Sequence, residues 1–299
     1  MSPYPPNDTS VGRAYNHLRT LARRERRSTE ELITLYALER FLFRISASDL
    51  ADRFVLKGGL LLALFEARRT TRDIDLLARA ISNDEEIVLA HVAKIAAMPL
   101  DDGIDFEHSA LRASPIREDD FYGGIRVIIP ARLGRARARL QLDISFGDPV
   151  TPAPQRIRYP ELVDGGSFPL LGYPIETVLA EKVITCLERS SSNTRDRDYA
   201  DVWRLTGQHD LSAAPLRHAL DATAAHRGLV LGPLSDVIGG LATSRQLPYS
   251  AWRAKQGVEG AGYPKDFTTV VQGVIAFADP LLEAASPVSR WDRSSRTWS

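Results

Sequence analysis

The sequence has a single cysteine among 299 residues, and it has no long apolar run. Because Cys186 has no second cysteine to pair with, an internal disulfide is excluded, as is typical of proteins of a reducing compartment. No apolar stretch is long enough to cross a bilayer, and the first residues lack the basic-then-apolar layout of a secretory signal. We therefore expect a cytoplasmic protein that has no membrane partner.

The sequence also lacks an excess of charge of either sign. The 38 basic and 38 acidic side chains give a formal net charge of zero, so no global positive field attracts nucleic acid. A polyanionic partner would have to be bound by local clusters of arginine. Lysine is scarce, with five lysines against 33 arginines. A lysine in such a sequence indicates a position that favours a compact point charge over a planar guanidinium.

Hydrophobic periodicity predicts an α+β protein. Alternation of apolar residues predicts strands at 54–57, 73–77, 125–130 and 138–146. Helical spacing predicts helices at 11–22, 28–43, 60–66, 83–98, 175–189, 197–206, 216–227, 234–243 and 267–282. A proline-rich stretch at 149–160 is typical of a linker. We expect a mixed α and β domain over 1–148, a helical domain over 149–289 and a loose tail over 290–299.

The most informative short motif is Asp73-Ile74-Asp75-Leu76. In a strand, side chains alternate between faces, so both carboxylates lie on one face and repel each other. Neighbouring arginines, such as Arg69 and Arg72, or hard divalent cations would compensate this charge. Taken alone, the motif is compatible with a solvated strand edge as well as with a metal site.

A glycine pair, Gly58 and Gly59, follows one predicted strand and precedes a predicted helix. Without side chains, their N–H groups can approach a phosphate, and a helix N-terminus favours negative charge. A glycine pair is equally an ordinary turn, but 13 residues separate it from Asp73 and Asp75 on the next strand. The combination predicts a phosphate cradle beside a carboxylate pair that binds metal.

A third acid, Asp143, lies on the polar face of a strand whose apolar residues alternate from Leu140 to Phe146. It is either a charge on an edge strand or a further carboxylate of the metal site. The sequence leaves both interpretations open.

Lys182 lies in the middle of the apolar stripe of the helix predicted over 175–189. Its ammonium either extends past the core to solvent or is buried beside an anion, which could be a triphosphate. Asp198 and Asp201 likewise lie on the packed side of the next predicted helix. An ordinary acid at a helix start is the simpler interpretation of Asp198.

Four segments carry a resemblance to a known family: Lys57-Gly58-Gly59, Arg72-Asp73-Ile74-Asp75, the stretch ETVLAEK at 176–182 and the stretch RDYADVWRL at 197–205. Their order and spacing, over residues 50–206, resemble the AbiEii/AbiGii toxins of the DNA polymerase β-type nucleotidyltransferase superfamily, which belong to type IV toxin-antitoxin systems and include MenT-like proteins. The resemblance implies a nucleotidyltransferase-type mixed sheet with flanking helices, and a helical C-terminal domain that contributes to the active site. One departure is Leu60, where many relatives carry a small hydroxyl residue that could contact phosphate.

The resemblance also implies roles for individual residues. The family's catalytic positions correspond to Asp73, Asp75, Lys182 and Asp198, and its nucleotide-binding positions to Lys57, Gly58, Gly59 and Lys182. Asp73 and Asp75 would hold Mg²⁺, or Mn²⁺, with a nucleoside triphosphate as substrate. Lys182 would neutralise phosphate charge, Asp198 would fix the lysine or the acceptor, and Asp201 would be a structural helper. These roles require that Lys182 and the aspartate pair meet around one nucleotide.

By resemblance, we expect a bacterial toxin that moves a nucleoside monophosphate to the 3′ end of tRNA, releases pyrophosphate and blocks translation. Its partners would be tRNA and an antitoxin protein. Three groups of arginines flank the candidate site and would contact RNA: Arg68, Arg69 and Arg72; Arg132, Arg135, Arg137 and Arg139; and Arg189, Arg195 and Arg197. Two alternatives remain open: a transferase whose acceptor is a protein or a small molecule, and a non-catalytic module that binds nucleotide or antitoxin.

Overall fold

The computed structural model describes residues 6–67, 71, 73–116, 123–163, 165–283 and 287–299. The fold is α+β, as the sequence predicts, and the chain forms two compact units. The first unit comprises residues 1–60, 71–147 and 156–172, and the second comprises residues 61–70, 148–155 and 173–299. This division differs from the expected boundary at residue 148, because the stretch 156–172 adds two strands to the sheet of the first unit.

The first unit combines a mixed sheet with helices. Its helices in the described part of the chain are α1 (Ser10–Glu25), α2 (Thr29–Ala47), α3 (Gly58–Leu62), whose last two residues belong to the second unit, and α4 (Glu85–Ala96). Its strands there are β1 (Phe54–Lys57), β2 (Asp73–Ala78), β3 (Ile104–Phe106), β4 (Arg112–Ile116), β5 (Gly124–Leu133), β6 (Ala136–Phe146), β7 (Gln155–Pro160) and β8 (Ser167–Gly172).

These strands form one sheet in the order β3-β5-β6-β2-β1-β8-β7, and β4 also pairs with β5. The strand β2 runs parallel to β6, and β1 runs parallel to β8. The pairs β1–β2 and β5–β6 are antiparallel. The strand β2 is therefore an interior strand, and backbone hydrogen bonds to both neighbours set its register.

The helix α2 packs against α1 and against the strands β6 and β8. It begins at the predicted cap, where the backbone N–H of Glu31 donates to Ser28 Oγ at 3.0 Å. Leu38, Phe41 and Leu42 of this helix are fully buried. Each such side chain stabilises the folded state by about 1.5–3 kcal/mol, so α2 holds the helical layer on the sheet.

The second unit is mainly helical, as predicted for this part of the chain. Its longer helices are α5 (Ile175–Arg189), α6 (Asp196–Thr206), α7 (Ala213–His226), α8 (Leu241–Lys255) and α9 (Phe267–Leu282). Residues 234–243 form a short 3₁₀ turn and the start of α8 instead of the expected helix, because Gly240 adopts a left-handed φ of 75°. In the described part of the chain, no helix is both long and apolar enough to cross a membrane.

Residues 290–299, expected as a loose tail, are folded. The strands β9 (Leu211–Ser212), β10 (Arg290–Asp292) and β11 (Thr297–Trp298) form a small antiparallel sheet. Trp291 is fully buried, its indole N–H donates to the carbonyl of Thr206 at 2.7 Å, and its ring packs edge-on against Phe277. Burial of this large ring, with its N–H satisfied, anchors the end of the chain.

Candidate active site

The aspartate pair lies on an interior strand of the first unit. Asp73 and Asp75 share one face of β2 and are half-buried, whereas Ile74 and Leu76 are buried on the other face. This is the alternation that the sequence predicts. Because β2 is hydrogen-bonded on both sides, the two carboxylates are positioned by a rigid element and not by a loop.

The turn between β1 and α3 packs directly against Asp75. Gly58 has a left-handed φ of 66°, and a Cβ placed on it would lie 1.8 Å from Asp75 Oδ2. The backbone N–H of Gly59 donates to the same oxygen at 3.4 Å. Only glycine can occupy this turn without displacing the carboxylate. The structure thus brings the glycine turn and the aspartate pair together, as their spacing predicts.

Four charged residues form a row across four strands on this face. Lys57 of β1 lies opposite Asp75, which lies beside Asp143 of β6. Asp143 in turn lies opposite Arg126 of β5. Neighbouring strands are about 4.8 Å apart, so adjacent members of the row are close enough to interact. We call Lys57, Asp75, Asp143 and Arg126 the charge row; its signs run positive, negative, negative, positive.

Asp143 is not a charge on an edge strand, because β6 lies between β2 and β5. Its two oxygens accept hydrogen bonds from Nε and Nη2 of Arg126, each at 2.8 Å, and Oδ2 also accepts from Gln141 Nε2 at 3.2 Å. A bidentate pair of this kind is strong and directional. The alternation along β6 marks Asp143 in the sequence, whereas no sequence motif marks Arg126. Arg126 alternates with the inward-facing Ile125 and Val127 of β5, and this alternation is the signal in the sequence that could have placed Arg126 on the polar face of the sheet.

The carboxylate oxygens on this face are suitable ligands for a hard divalent cation. Asp73 and Asp75 supply carboxylate oxygens, the ligands that Mg²⁺ and Mn²⁺ prefer. Within the described residues, no group of three or more His, Cys, Asp or Glu side chains is arranged to hold a metal ion. Two carboxylates are sufficient for Mg²⁺, which keeps several waters and takes substrate phosphates as further ligands. The residues present therefore fit an ion that a triphosphate helps to hold.

In the second unit, Lys182 of α5 is bound by two aspartates of α6. Its Nζ donates to Asp198 Oδ1 at 2.9 Å and to Asp201 Oδ2 at 2.7 Å. The side chains of Lys182, Asp198 and Asp201 are 12%, 10% and 0% exposed. Of the two interpretations that the sequence left open, the structure supports a buried ammonium beside anions, and the anions include these two carboxylates.

The charge balance of this cluster controls the protonation of Asp198. Burial alone would raise its pKa, but the charge and hydrogen bond of Lys182, helped by Arg197 and Arg195, outweigh burial and hold the pKa below its usual value. Asp198 is therefore ionised at neutral pH. The single ammonium of Lys182 already contacts two carboxylates. A further anion at this ammonium would have to compete with Asp198 and Asp201 for its positive charge.

The start of α6 is held by a long-range contact that no local pattern in the sequence predicts. Arg245 of α8 donates from Nε and Nη2 to the carboxylate of Asp196 at 2.8 and 2.9 Å, and from Nη2 to the carbonyl of Thr194 at 3.2 Å. This fork fixes the first turn of the helix that carries Asp198. The two partners are 49 residues apart, and nothing local in the sequence links them.

The residues predicted for the site are divided between the two units. Lys57, Gly58, Gly59, Asp73 and Asp75 belong to the first unit, and Lys182 and Asp198 belong to the second. Of the arginines expected to contact RNA, Arg68, Arg69 and Arg72 lie outside the described residues. Those of the β5–β6 hairpin, Arg132, Arg135, Arg137 and Arg139, are exposed, as is Arg197, whereas Arg189 and Arg195 are half-buried.

Comparison with known proteins gives both a family and a fold. The model of a family described as nucleotidyl transferase AbiEii toxin, type IV TA system, matches residues 40–291. Among solved structures, the nucleotidyltransferase toxin MenT4 of Mycobacterium tuberculosis H37Rv is similar, with a TM-score of 0.50 and 16% identity over 90% of this chain and 99% of that chain. This similarity shows a shared fold.

Two structures from Helicobacter pylori align less closely. A candidate nucleotidyltransferase has a TM-score of 0.49 and 17% identity, over 83% of this chain and 95% of that chain. The protein JHP933 has a TM-score of 0.41 and 18% identity, over 78% of this chain and 98% of that chain. No curated protein sequence matches the chain.

Proposed function

Because the chain belongs to the AbiEii family of nucleotidyltransferase toxins of type IV toxin-antitoxin systems, we propose that it transfers a nucleoside monophosphate from a nucleoside triphosphate to the 3′ end of tRNA. Pyrophosphate leaves, the modified tRNA no longer supports translation, and an antitoxin protein is the partner that restrains the toxin. The observation that carries the proposal is the packing of the Gly58 turn against Asp75, on the face of β2 that also carries Asp73.

In this proposal, the first unit binds the triphosphate. Asp73 and Asp75 hold Mg²⁺ or Mn²⁺, which when bound polarises the phosphates and stabilises the leaving pyrophosphate. Lys57 places a positive charge beside Asp75, and its Nζ lies 3.4 Å from Ser145 Oγ on the same side of the sheet. The turn at Gly58 has no side chain to keep a phosphate from the backbone.

Lys182 neutralises the charge that grows on the phosphates during transfer. Asp198 orients the ammonium through the 2.9 Å contact, and because its own pKa is lowered, it stays ionised. Asp201 is fully buried against the same ammonium, so its role is structural. This assignment explains why a lysine occurs on the apolar stripe of α5.

RNA is the proposed acceptor because exposed arginines supply local positive charge that can bind its phosphates. The net charge is zero, yet the β5–β6 hairpin exposes Arg132, Arg135, Arg137 and Arg139, and Arg197 is exposed at the start of α6. Exposed arginines gain affinity for a phosphate backbone by releasing its counterions, so tRNA binding should weaken steeply as salt rises.

The test is transfer of label from nucleoside triphosphates, labelled at the α-phosphate, to purified tRNA in the presence of Mg²⁺. We expect the wild type to label tRNA with at least one nucleotide. The variant Asp75→Asn should label it about 100-fold less or worse, because a neutral amide is a poor substitute for a carboxylate that binds metal. The matched control is Asp105→Asn, the same change at an exposed aspartate of β3, which should keep full activity.

Two results would contradict the proposal. If no RNA is labelled with any of the four nucleotides, tRNA is not the acceptor; label in proteins or small molecules of a lysate would then identify the alternative class. If Asp75→Asn labels tRNA as well as the wild type does, the aspartate pair is not the metal site.

One observation favours the non-catalytic alternative, namely that Asp143 and Lys182 already have partners of opposite charge within the chain. Growth of the expressing cells separates the two functions. If catalysis causes toxicity, Asp73→Asn relieves the growth arrest while the protein accumulates to the wild-type level. Equal toxicity of the variant would support a module that acts by binding.

A further inference from the structure

We propose that Arg139 and Arg137 of β6 bind two successive phosphates at the 3′ end of the acceptor RNA. The inference rests on the proposed function, since it takes RNA as the acceptor at the aspartate pair of β2. It selects two of the exposed arginines of the β5–β6 hairpin and gives the bound strand a direction: the strand lies along β6, and its 3′ end lies beside Asp73.

The two arginines continue a line of side chains that begins at the aspartate pair. In the parallel pairing of β2 with β6, Gln141 lies beside Asp73. Arg139 and Arg137 are the next two residues of β6 on the same face, because the side chains of a strand alternate between faces. Residues 136–140 of β6 extend past the start of β2, so the line leads away from the carboxylates along the hairpin.

The spacing along this line suits the backbone of a single nucleic-acid strand. Positions that share one face of an antiparallel strand repeat about every 6.8 Å, which is comparable to the separation of neighbouring phosphates in an extended single strand. A 3′ hydroxyl at the cation of Asp73 and Asp75 would place the phosphate of the last nucleotide near Arg139. The phosphate before it would then lie near Arg137.

The positive charge of these two arginines is not balanced within the described part of the chain. Both side chains are exposed, and no described carboxylate pairs with either of them. Arg132, in contrast, forms an ion pair with Glu107. Arg137 also lies directly opposite Arg132 in the pairing of β5 with β6, and like charges at opposite positions destabilise an antiparallel pair. A polyanion that lies over this face would offset the repulsion.

The neighbouring strand supplies an apolar surface beside the line. Pro130 of β5 lies opposite Arg139, and Ile128 lies opposite Gln141; both apolar side chains are half-buried. An unstacked base can pack on apolar side chains while its phosphate is held by a cation. Arginines beside an apolar strip therefore fit a single-stranded nucleotide chain better than they fit an inorganic anion.

The first experiment measures binding of the full chain to tRNA by filter retention, without nucleotide, over a range of salt concentrations. We expect Arg137→Gln and Arg139→Gln each to weaken binding about fivefold at low salt, and the double variant about 20-fold. The slope of log K against log salt should become shallower by about 0.7 for each arginine removed, the value for one phosphate of a single strand. The matched control is Arg23→Gln, the same change at an exposed arginine of α1, which should bind as the wild type does.

The second experiment tests which phosphates are bound. We compare tRNAs with one uncharged methylphosphonate linkage, placed at the last nucleotide, at the nucleotide before it or, as a control, in the 5′ strand of the acceptor stem. Each of the first two should weaken binding to the wild type about fivefold. The linkage at the last nucleotide should cause no further loss in Arg139→Gln, nor the linkage before it in Arg137→Gln. Losses that add in full would overturn the inference, because arginine and phosphate would then act independently.

The outcomes separate this inference from the proposed function. If the wild type transfers no label to tRNA, the proposed function is wrong and the inference fails with it. If the wild type labels tRNA and the double variant binds tRNA within about twofold of the wild type, only the inference is overturned. In transfer assays, the loss in the double variant should appear in the KM for tRNA. An equal rise in the KM for the nucleoside triphosphate would mean that the arginines bind the triphosphate, and would also overturn the inference.

Discussion

Replacing Lys182 with methionine is expected to destabilise the second unit by about 3–5 kcal/mol at neutral pH, because it removes one partner of a buried ionic cluster. The variant keeps the length and apolar stem of the side chain but deletes the charge that Asp198 and Asp201 share at 2.9 and 2.7 Å. Both carboxylates then remain largely buried, at 10% and 0% exposure, without their ammonium.

Protonation of the buried aspartates limits the loss of stability in Lys182→Met and makes that loss depend on pH. An uncompensated buried aspartate can take up a proton, which costs about 4 kcal/mol at pH 7 for an acid whose unfolded pKa is about 4, and about 1.5 kcal/mol at pH 5. The defect of Lys182→Met should therefore shrink by about 2–3 kcal/mol per proton between pH 7 and pH 5. The stability of the wild type changes with pH in the opposite direction. Because the pKa of Asp198 is lowered in the folded state, Asp198 contributes stability that is present above the unfolded pKa and is lost as the pH falls through the folded pKa.

The assay is urea unfolding followed by tryptophan fluorescence. All four tryptophans, Trp203, Trp252, Trp291 and Trp298, belong to the second unit, so the signal reports the unit that carries Lys182. The matched control is Lys255→Met, the same change at an exposed lysine of α8, which should alter the free energy of unfolding by no more than about 0.5 kcal/mol.

Two results would refute this reasoning. The first is a loss for Lys182→Met of less than about 1 kcal/mol at pH 7, the range of an exposed ion pair. The second is a loss that does not depend on pH, which would mean that packing and not charge holds the cluster. Adding Asp201→Asn to Lys182→Met should restore more than half of the lost stability, because one of the two uncompensated charges is then gone.

Three further predictions concern other parts of the chain. Gly58→Ala should reduce nucleotide transfer, since its Cβ would lie 1.8 Å from Asp75 Oδ2 and its left-handed φ would cost about 1–2 kcal/mol; Gly232→Ala, where a Cβ meets no described atom within 4 Å, should leave transfer unchanged in the same assay. Burial raises the pKa of Glu39 from 4.5 to about 7, so the stability that Glu39 contributes is complete below pH 4.5 and is lost as the pH rises through 7. Glu39→Gln should flatten this decline of stability with pH, measured by thermal unfolding followed by far-UV circular dichroism. An unaltered slope of stability against pH would refute the assignment. Trp291→Ala should lower the stability of the second unit by about 3–5 kcal/mol in urea, whereas a loose tail would tolerate it.

The features that the sequence predicts correctly are local in the chain. Alternation places Asp73 and Asp75 on one face of a strand, and the Gly58-Gly59 pair marks the end of the preceding strand. The capping pattern locates the start of α2 at Ser28. Lys182 is conspicuous because it interrupts an apolar stripe. Each of these signals depends on the geometry of a single helix, strand or turn, which a short stretch of sequence determines.

The α+β class, the carboxylate face of β2 and the anomaly at Lys182 can thus be predicted from short stretches of sequence. The long-range contacts depend on the folded chain: Arg126 meets Asp143 across a strand pair, Arg245 meets Asp196 between helices, and Trp291 is buried against Thr206. These partners are 17, 49 and 85 residues apart along the chain. They are brought together by strand register and by burial of apolar surface, which depend on the whole fold and leave no periodic trace in the neighbourhood of either residue.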